Sequence, residues 1–287
     1  MPGLETAIAR VNGIRMYYRR IGDGPVLLLL HGWPQTGHCW NRILEPLGSA
    51  YTVVAPDLRG YGRSDKPSDG HDKRTRAEDL HELIRVLGYE SATVIGHDRG
   101  ARVAHRWALD HPSDVERLVL MDIIPTREMW RRMDINLGRS VWHWLFHLQS
   151  DLPELLAGAN PGGYVRFFLD RWANVPLREE DIAEYVRAFS TPGALRAGFD
   201  DYRASFPDDA EHDDTDYGRK LGMPVRVLWG EHSFLPKIDP LQIWRDYAED
   251  VSGSVIRDCG HFLAEEQPDR VLENLRSFLP RFGAGTA

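Results

Sequence analysis

The sequence predicts an α/β fold, in which a mostly parallel central sheet is flanked by helices and carries one inserted helical cap. Short apolar runs recur along the chain, and each is followed within two residues by glycine, proline or aspartate. Runs without polar alternation are typical of strands buried on both faces of a parallel sheet. Helical patterns lie between these runs, and such alternation builds parallel sheets through crossover connections. Residues 125–216 contain no convincing run of this kind, which predicts the insertion.

The core elements are predicted in chain order. Residues 76–87 place an apolar stripe on one helix face, and Gly88 marks the end of that helix. Similar patterns predict helices over residues 101–109 and 271–279. The predicted strands are residues 26–30, 52–55, 92–95, 115–121 and 225–229.

The chain is expected to fold as a core in two parts, residues 1–124 and 217–287, with the cap at residues 125–216 between them. The cap is rich in tryptophan, phenylalanine, tyrosine and arginine, which favours packed helices. Its helices are expected to be broken at Pro153, Pro161, Pro176 and Pro192. The acidic segment at residues 207–216 is predicted to be a solvated loop.

Composition and charge exclude several classes of protein. The 287 residues include 35 basic and 43 acidic side chains, a formal net charge of −8, without a lysine- or arginine-rich block. This balance argues against nucleic-acid binding through phosphate neutralisation. Cys39 and Cys259 are too few for a disulfide scaffold. No apolar run approaches the roughly 18 residues that a membrane span needs, and no signal peptide is recognisable. A cytoplasmic protein without a membrane partner is expected.

The most informative segment is Gly-His-Asp-Arg-Gly at residues 96–100, between a predicted strand and a predicted helix. Glycines two residues before and after Asp98 permit a sharp turn that exposes the central side chain at the carboxyl edge of the sheet. Serine esterases carry their nucleophile in such a turn, and here an aspartate takes that position. A carboxylate there can attack a carbon that bears a leaving group, and water then cleaves the ester. The alternative is that Asp98 caps the following helix.

Hydrolysis of such an ester needs a base, and His261 lies in a late loop, where this arrangement places its base. An imidazole titrates near neutral pH and can take a proton from water. A carboxylate is expected to hold the histidine tautomer. We expect Asp122, at the end of the strand 115–121, with Glu231 or Asp239 in the loop after residue 229 as alternatives.

The segment His-Gly-Trp-Pro at residues 31–34 directly follows the first predicted strand. The backbone N–H groups of Trp33 and Arg99 are expected to form an oxyanion hole, one from each loop. His31 is expected to be structural.

These residues resemble the α/β-hydrolase superfamily over nearly the whole chain. The resemblance rests on His-Gly-Trp-Pro-Gln at 31–35, the segment at 56–67, the turn around Asp98 and Gly-His-Phe at 260–262. More narrowly, Gly-His-Asp-Arg-Gly-Ala-Arg at 96–102 looks like the fluoroacetate (haloacetate) dehalogenases. Haloalkane dehalogenases and epoxide hydrolases also carry an aspartate nucleophile, but many have an aromatic residue after it. Trp33 departs from the phenylalanine common in the narrower family.

The resemblance implies roles for further residues. Arg99 and Arg102 would hold the carboxylate of the substrate through charge-assisted hydrogen bonds, which is the physical reason for two guanidiniums beside the nucleophile. The alternative is that one of the two faces solvent. The cap residues His143, Trp144 and Tyr202 match the halide-binding set, although an aromatic cluster can also serve packing alone. The resemblance implies no metal or organic cofactor, and it implies a homodimer.

The function expected from these residues is hydrolysis of a short 2-haloacid, such as fluoroacetate or chloroacetate, to glycolate and halide. The rival is epoxide hydrolysis by the same aspartate and histidine, with Tyr202 protonating the epoxide oxygen. A receptor that keeps the hydrolase fold and binds a small acid without turnover is a third possibility. The complete set of Asp98, His261 and Asp122 argues against that receptor.

Overall fold

An eight-stranded sheet forms the centre of the computed structural model, which describes residues 3–282. The spatial strand order is β1-β2-β4-β3-β5-β6-β7-β8. Strands β1 and β2 pair antiparallel, as do β2 and β4, and every other neighbouring pair is parallel. The strands are β1 (Glu5–Val11), β2 (Ile14–Ile21), β3 (Val26–Leu30), β4 (Thr52–Pro56), β5 (Ala92–His97), β6 (Val115–Met121), β7 (Val225–Gly230) and β8 (Val251–Ile256).

All five predicted strands are present, and each ends within two residues of its predicted position. Strands β1, β2 and β8 were missed because their sequences do not have the signal of a strand buried on both faces. Most residues of β1 are exposed, β2 is rich in arginine and tyrosine, and β8 consists largely of small, half-buried residues. Their pairing depends on the neighbouring strands more than on their own composition.

The helices lie on both sides of the sheet and in the cap. Before β6 the chain forms α1 (Asn41–Gly48), α2 (Lys73–Val86) and α3 (Asp98–Asp110). Between β6 and β7 it forms α4 (Thr126–Arg131), α5 (Ile135–Ser140), α6 (Trp142–His147), α7 (Leu152–Gly158), α8 (Pro161–Trp172), α9 (Glu179–Phe189), α10 (Ala194–Arg203) and α11 (Ala210–Thr215). The remaining helices are α12 (Pro240–Trp244), α13 (Leu263–Glu266) and α14 (Pro268–Arg276).

The segment between β6 and β7 is helical, as predicted, while the boundaries proposed for the cap remain predictions. Two of its prolines have a different role from the one expected. Pro153 is the second residue of α7 and Pro161 the first residue of α8. In the first turn the missing N–H has no intrahelical partner to lose, so both prolines begin helices instead of breaking them. Pro176 and Pro192 lie between helices.

The prediction of a solvated loop at residues 207–216 is wrong. This segment continues from a π-helical stretch, Ser205–Asp209, into α11. The Asp209 carboxylate is buried because it accepts hydrogen bonds from the backbone and side chain of Lys73 on α2. Asp213 is also buried and accepts the Arg127 N–H. Partners distant in sequence therefore bury acids that composition alone assigns to solvent.

None of the helices in the described part of the chain is long and apolar enough to cross a membrane.

Candidate active site

Asp98 lies at the sharp turn between β5 and α3, and its φ of +48° is in the left-handed region. The backbone is closely packed on both sides of the turn. A Cβ at Gly96 would lie 2.5 Å from the Ala101 Cα, and a Cβ at Gly100 would lie 2.3 Å from the His31 carbonyl oxygen. Glycine is required at both positions, in agreement with the predicted turn.

The Asp98 carboxylate is held by a neighbouring loop instead of by its own helix. Its Oδ1 accepts the backbone N–H of Trp33 at 2.9 Å, so one of the two predicted oxyanion donors already contacts the carboxylate. No hydrogen bond from a helix N–H to Asp98 occurs in the described residues, which speaks against the helix-cap alternative. Burial raises the pKa of Asp98, but the positive potential of His261, His97 and Arg99 outweighs it, and the pKa is lowered. The side chain is therefore ionised at neutral pH.

The structure brings His261 between the two aspartates. Its Nδ1 lies 2.7 Å from Asp122 Oδ2, and its Nε2 lies 3.7 Å from Asp98 Oδ2. The two alternative acids are engaged elsewhere. Glu231 accepts the Asp258 N–H, and Asp239 caps α12 through the Gln242 N–H. The geometry therefore favours Asp122 as the partner of the imidazole.

Asp122 also shifts the titration of the imidazole. Burial lowers the pKa of His261, but the hydrogen bond to Asp122 and the charges of Asp122 and Asp98 outweigh it, and the pKa is raised above its usual value. The Asp122 side chain is itself fixed, because its Oδ1 accepts the Gly230 N–H at 3.0 Å. His31, in contrast, is structural as expected: its ring nitrogens contact the Gly32 carbonyl and the Leu58 N–H.

Asp122→Asn is expected to lower the pKa of His261, because the substitution removes the carboxylate that stabilises the imidazolium. The measurement is a pH titration of the His261 ring signals by NMR. Glu231→Gln is the matched control, since it removes the alternative acid and should leave that pKa where it is. An unchanged His261 pKa in Asp122→Asn, or a shift in Glu231→Gln, would contradict the assignment.

A cavity of about 130 Å³ opens in front of Asp98. Both core and cap residues line it, and half of the cap residues in its lining are aromatic. Its lining residues are Asp98, Arg102, Asp122, Ser140, Val141, His143, Trp144, Arg171, Trp172, His232, Ser233, Phe234 and His261.

Arg102 lines this cavity without an ion-pair partner. Its side chain is only 4% exposed, and Nη1 donates to the Ile124 carbonyl at 2.8 Å and to the Thr126 hydroxyl at 3.3 Å. No carboxylate of residues 3–282 lies within 4.0 Å of its guanidinium, and Nε is buried without a partner. Burial and the charge of Arg99 lower the pKa of Arg102 to about 10, so the group still carries its charge at neutral pH.

Arg99 has a different environment, although sequence reasoning gave both arginines the same role. It is fully buried and does not line the cavity. Its Nε and Nη2 donate to the Asp201 carboxylate at 2.8 and 2.5 Å, and Nη1 is buried without a partner. At most one nitrogen of Arg99 remains for a ligand, so the expectation of two free guanidinium forks does not hold for this residue.

Asp201 was missed by sequence reasoning, although it lies beside Tyr202. It is fully buried and also accepts from Tyr61, Lys73 and Arg76, residues of the core. One cap carboxylate therefore compensates three core cations and fixes α10 against α2 and α3. An acid next to a predicted site residue was an available signal, but the partners of Asp201 were not visible in the sequence.

The three predicted cap residues lie together, as the resemblance implied. His143 and Trp144 line the cavity, whereas Tyr202 lies just behind them, 5.6 and 5.7 Å from their rings. Burial lowers the pKa of His143 to about 3, and its Nδ1 has no partner. The ring is therefore neutral. Trp33 is fully buried among these aromatic side chains and does not line the cavity.

Several cavity residues had no role in the sequence analysis. The sequence offers no local signal that separates these residues from other cap and loop residues. They are Ser140, Val141, Arg171, Trp172, His232, Ser233 and Phe234. Clusters of potential metal ligands in the described residues lie outside the set of Asp98, Asp122 and His261. They are His81 with His111 and Asp114, Asp72 with Asp209 and His212, and Glu231 with His232 and Asp258.

Comparison with known proteins gives relatives over nearly the whole chain. Residues 25–268 match the family described as alpha/beta hydrolase fold. The chain is 41% identical over 281 residues to the soluble epoxide hydrolase of Corynebacterium sp. (strain C12). The alignment covers 95% of this chain and 96% of that protein. It is 37% identical over 287 residues to the fluoroacetate dehalogenase of Burkholderia sp., with 96% and 94% covered. The solved structure of Cfl2 from Burkholderia cenocepacia superposes with a TM-score of 0.90 at 33% identity, with 96% of each chain covered.

Proposed function

This chain belongs to the alpha/beta hydrolase fold family, and from that premise we propose that it is a hydrolytic dehalogenase of short 2-haloacids. Its products are glycolate and halide when the substrate is fluoroacetate or chloroacetate. The reaction passes through an ester of Asp98. Relatives named epoxide hydrolase and fluoroacetate dehalogenase are similar to the chain to nearly the same degree, so the choice between the two activities rests on the site.

The observation that carries the proposal is the unpaired charge of Arg102. Burial of a guanidinium without a carboxylate lowers the free energy of unfolding by about several kcal/mol, unless a ligand supplies the opposite charge. Arg102 lines the same cavity as Asp98, so that ligand can be the substrate itself. A haloacid has a carboxylate next to the carbon that is attacked, and an epoxide has none. The local charge also explains how a protein of net charge −8 can take an anionic substrate.

In the first step, Asp98 Oδ2 bonds to the α-carbon of the substrate while the carbon–halogen bond breaks, and its electron pair leaves with the halide. Oδ1, which accepts the Trp33 N–H, becomes the carbonyl oxygen of the ester. Arg102 holds the substrate carboxylate, so the α-carbon is presented to Oδ2 in one orientation.

In the second step, His261 Nε2 takes a proton from water, and the water oxygen attacks Cγ of the ester. The backbone N–H groups of Trp33 and of Arg99, which lies in the first turn of α3, stabilise the oxyanion on Oδ1. The Cγ–Oδ2 bond breaks, and glycolate leaves with Oδ2 and with the proton from His261. Asp98 returns to a carboxylate by releasing one proton to solvent.

The cap supplies the surroundings of the leaving halide. Neutral His143 has one ring N–H, and Trp144 has an indole N–H beside the cavity. A small, strongly hydrated anion such as fluoride needs donors that replace its water, and neutral N–H groups can do so without holding it as tightly as a cation. Tyr202 is a third donor if its hydroxyl turns toward the cavity.

Epoxide hydrolysis is the second candidate, favoured by the 41% identical relative and by the position of Tyr202 near the cavity. In that reaction Asp98 opens the epoxide ring and Tyr202 protonates its oxygen. Arg102 then has no partner in the substrate, which is the physical reason to rank this activity second. Homodimerisation, which the family resemblance implies, and a cytoplasmic location, which the sequence predicts, remain predictions.

The two activities are separated by one pair of assays. Halide release from fluoroacetate and chloroacetate is measured with ion-selective electrodes, and diol formation from styrene oxide is measured beside it under the same conditions. We expect halide release with little or no diol. Diol formation without halide release would overturn the dehalogenase proposal.

A further inference from the structure

We propose that Glu266 is the positioning residue of the candidate base, acting through the backbone on both sides of His261. This inference rests on the proposed function, because it assigns Glu266 to the second of the two steps. The side chain does not line the cavity and touches no reacting group.

Four backbone N–H groups converge on this carboxylate. Oε2 accepts from Gly260 at 2.8 Å, and Oε1 accepts from Phe262 at 2.8 Å, so the residues on either side of His261 are both held. Oε2 also accepts from Asn174 at 2.7 Å and from Val175 at 2.9 Å, which follow α8 in the cap. Glu266 is 5% exposed and makes no ion pair within residues 3–282. Its charge is stabilised by the four N–H dipoles instead of by a cation.

The rest of the His261 backbone is held by the same surroundings. The His261 N–H donates to the Trp172 carbonyl at 2.9 Å, and the His261 carbonyl is 2.7 Å from His97 Nε2. A Cβ at Gly260 would lie 2.2 Å from the Trp172 carbonyl oxygen, so the cap segment packs directly on this loop. Glu266 therefore joins the loop of the base to the cap wall of the cavity, where Trp172 lies 5.4 Å from the His261 ring.

The first step does not depend on these contacts. Asp98 is fixed by the turn after β5 and by the Trp33 N–H, and none of its contacts involves Glu266. The second step does depend on them, because His261 must hold a water against Cγ within hydrogen-bond reach. Displacement of about 1 Å at such a group can cost about 100-fold in rate. Loss of Glu266 should therefore slow ester hydrolysis and spare ester formation.

Glu266→Gln tests this assignment in rapid-mixing experiments with chloroacetate. We expect the chloride burst of ester formation to stay within about threefold of the parent. Ester hydrolysis should slow by about 10- to 100-fold, by analogy with the loss of hydrogen-bond partners that orient metal ligands. The alkylated protein should then accumulate and be visible by intact mass. Glu266→Asp keeps the charge on a shorter side chain, and we expect its hydrolysis rate to lie between those of the other two proteins.

Glu265→Gln is the matched control. Glu265 is the neighbouring buried acid, and burial raises its pKa to about 8, so glutamine resembles its protonated form at neutral pH. Its carboxylate contacts Tyr185 and Gln35 and not the backbone beside His261. Both rates should stay near those of the parent.

Three outcomes overturn the assignment. Equal slowing of both steps in Glu266→Gln points to a general loss of structure, and unchanged hydrolysis shows that the loop does not need the carboxylate. The third outcome applies if Glu266→Gln does not fold: parental rates for both steps in Glu266→Asp would then overturn the assignment. If even a His261 variant fails to accumulate the ester, the proposed function fails as well, so the two failures are distinguishable.

Discussion

His261→Asn is expected to convert the protein into one that releases a single halide per site and then stops. Asparagine cannot take a proton from water, so the ester formed on Asp98 is no longer hydrolysed, while its formation needs only the carboxylate and the bound substrate. Turnover should fall by about 10³-fold or more, as when a base of this kind is removed. Intact-mass analysis after mixing with chloroacetate should show one added carboxymethyl group, which peptide mapping places on Asp98.

Asp98→Asn is the control, because it removes the nucleophile and should release no halide burst and form no adduct. A single turnover of the parent in ¹⁸O-water gives a further check. In the proposed mechanism water attacks Cγ and the glycolate hydroxyl oxygen comes from Oδ2, so the heavy oxygen should enter the Asp98 carboxylate. Heavy oxygen found only in glycolate would contradict an ester intermediate and with it the roles of both residues.

The turn around Asp98 was predictable because its information is local. Two glycines, a preceding apolar strand and a following helix lie within a few residues, and the close backbone contacts of Gly96 and Gly100 explain why no other residue type suits these positions. Asp122 was preferred because Glu231 directly follows its strand and Asp239 lies well beyond it, while Ser233 and Phe234 stand where an acid would be expected. The sequence left the choice open, since the carboxyl ends of β6 and β7 share one edge of the sheet and Asp122 is 139 residues from His261.

The environments of the two arginines were not predictable, because they depend on the cap. Arg99 and Asp201 are 102 residues apart, and nothing in either local sequence indicates their pairing. The same holds for Lys73 with Asp209, which explains the wrong assignment of residues 207–216 to a loop. Buried ion pairs between core and cap are formed by tertiary packing, so composition records only that both charges exist.

The neighbours of His261 show a similar limit. The run Glu265-Glu266 looks like an exposed acidic pair in the sequence, yet both side chains are buried and serve different partners. Glu265 faces Tyr185 of α9, whereas Glu266 faces four backbone N–H groups. Backbone donors have no signature in the sequence, so a carboxylate that they stabilise cannot be recognised before the fold is known.

Arg102→Met is expected to abolish the preference for anionic substrates while the protein stays folded. Two charge-assisted hydrogen bonds to the substrate carboxylate contribute about 1.5–3 kcal/mol each, so their loss should lower kcat/KM for chloroacetate by about 10²- to 10⁴-fold. Chloroacetamide offers the same carbon and leaving group without the charge. Its kcat/KM should change by less than about tenfold. Chloride release from both substrates is the measurement.

Arg106→Met is the matched control on the next turn of α3. Arg106 is equally buried but forms ion pairs with Asp110 and Asp216, and it does not line the cavity. Its loss removes the shortest ion pair of each carboxylate and leaves them the longer contacts to Arg74 and Arg219. It should therefore lower the unfolding temperature without changing the ratio of the two substrates.

Arg102→Met removes a charge that no carboxylate compensates, but it also removes the hydrogen bonds to the Ile124 carbonyl and the Thr126 hydroxyl. Its unfolding temperature should therefore fall less than that of Arg106→Met. If chloroacetate and chloroacetamide lose activity equally in Arg102→Met, the guanidinium does not bind the acid group, and epoxide hydrolysis becomes the better account of the site.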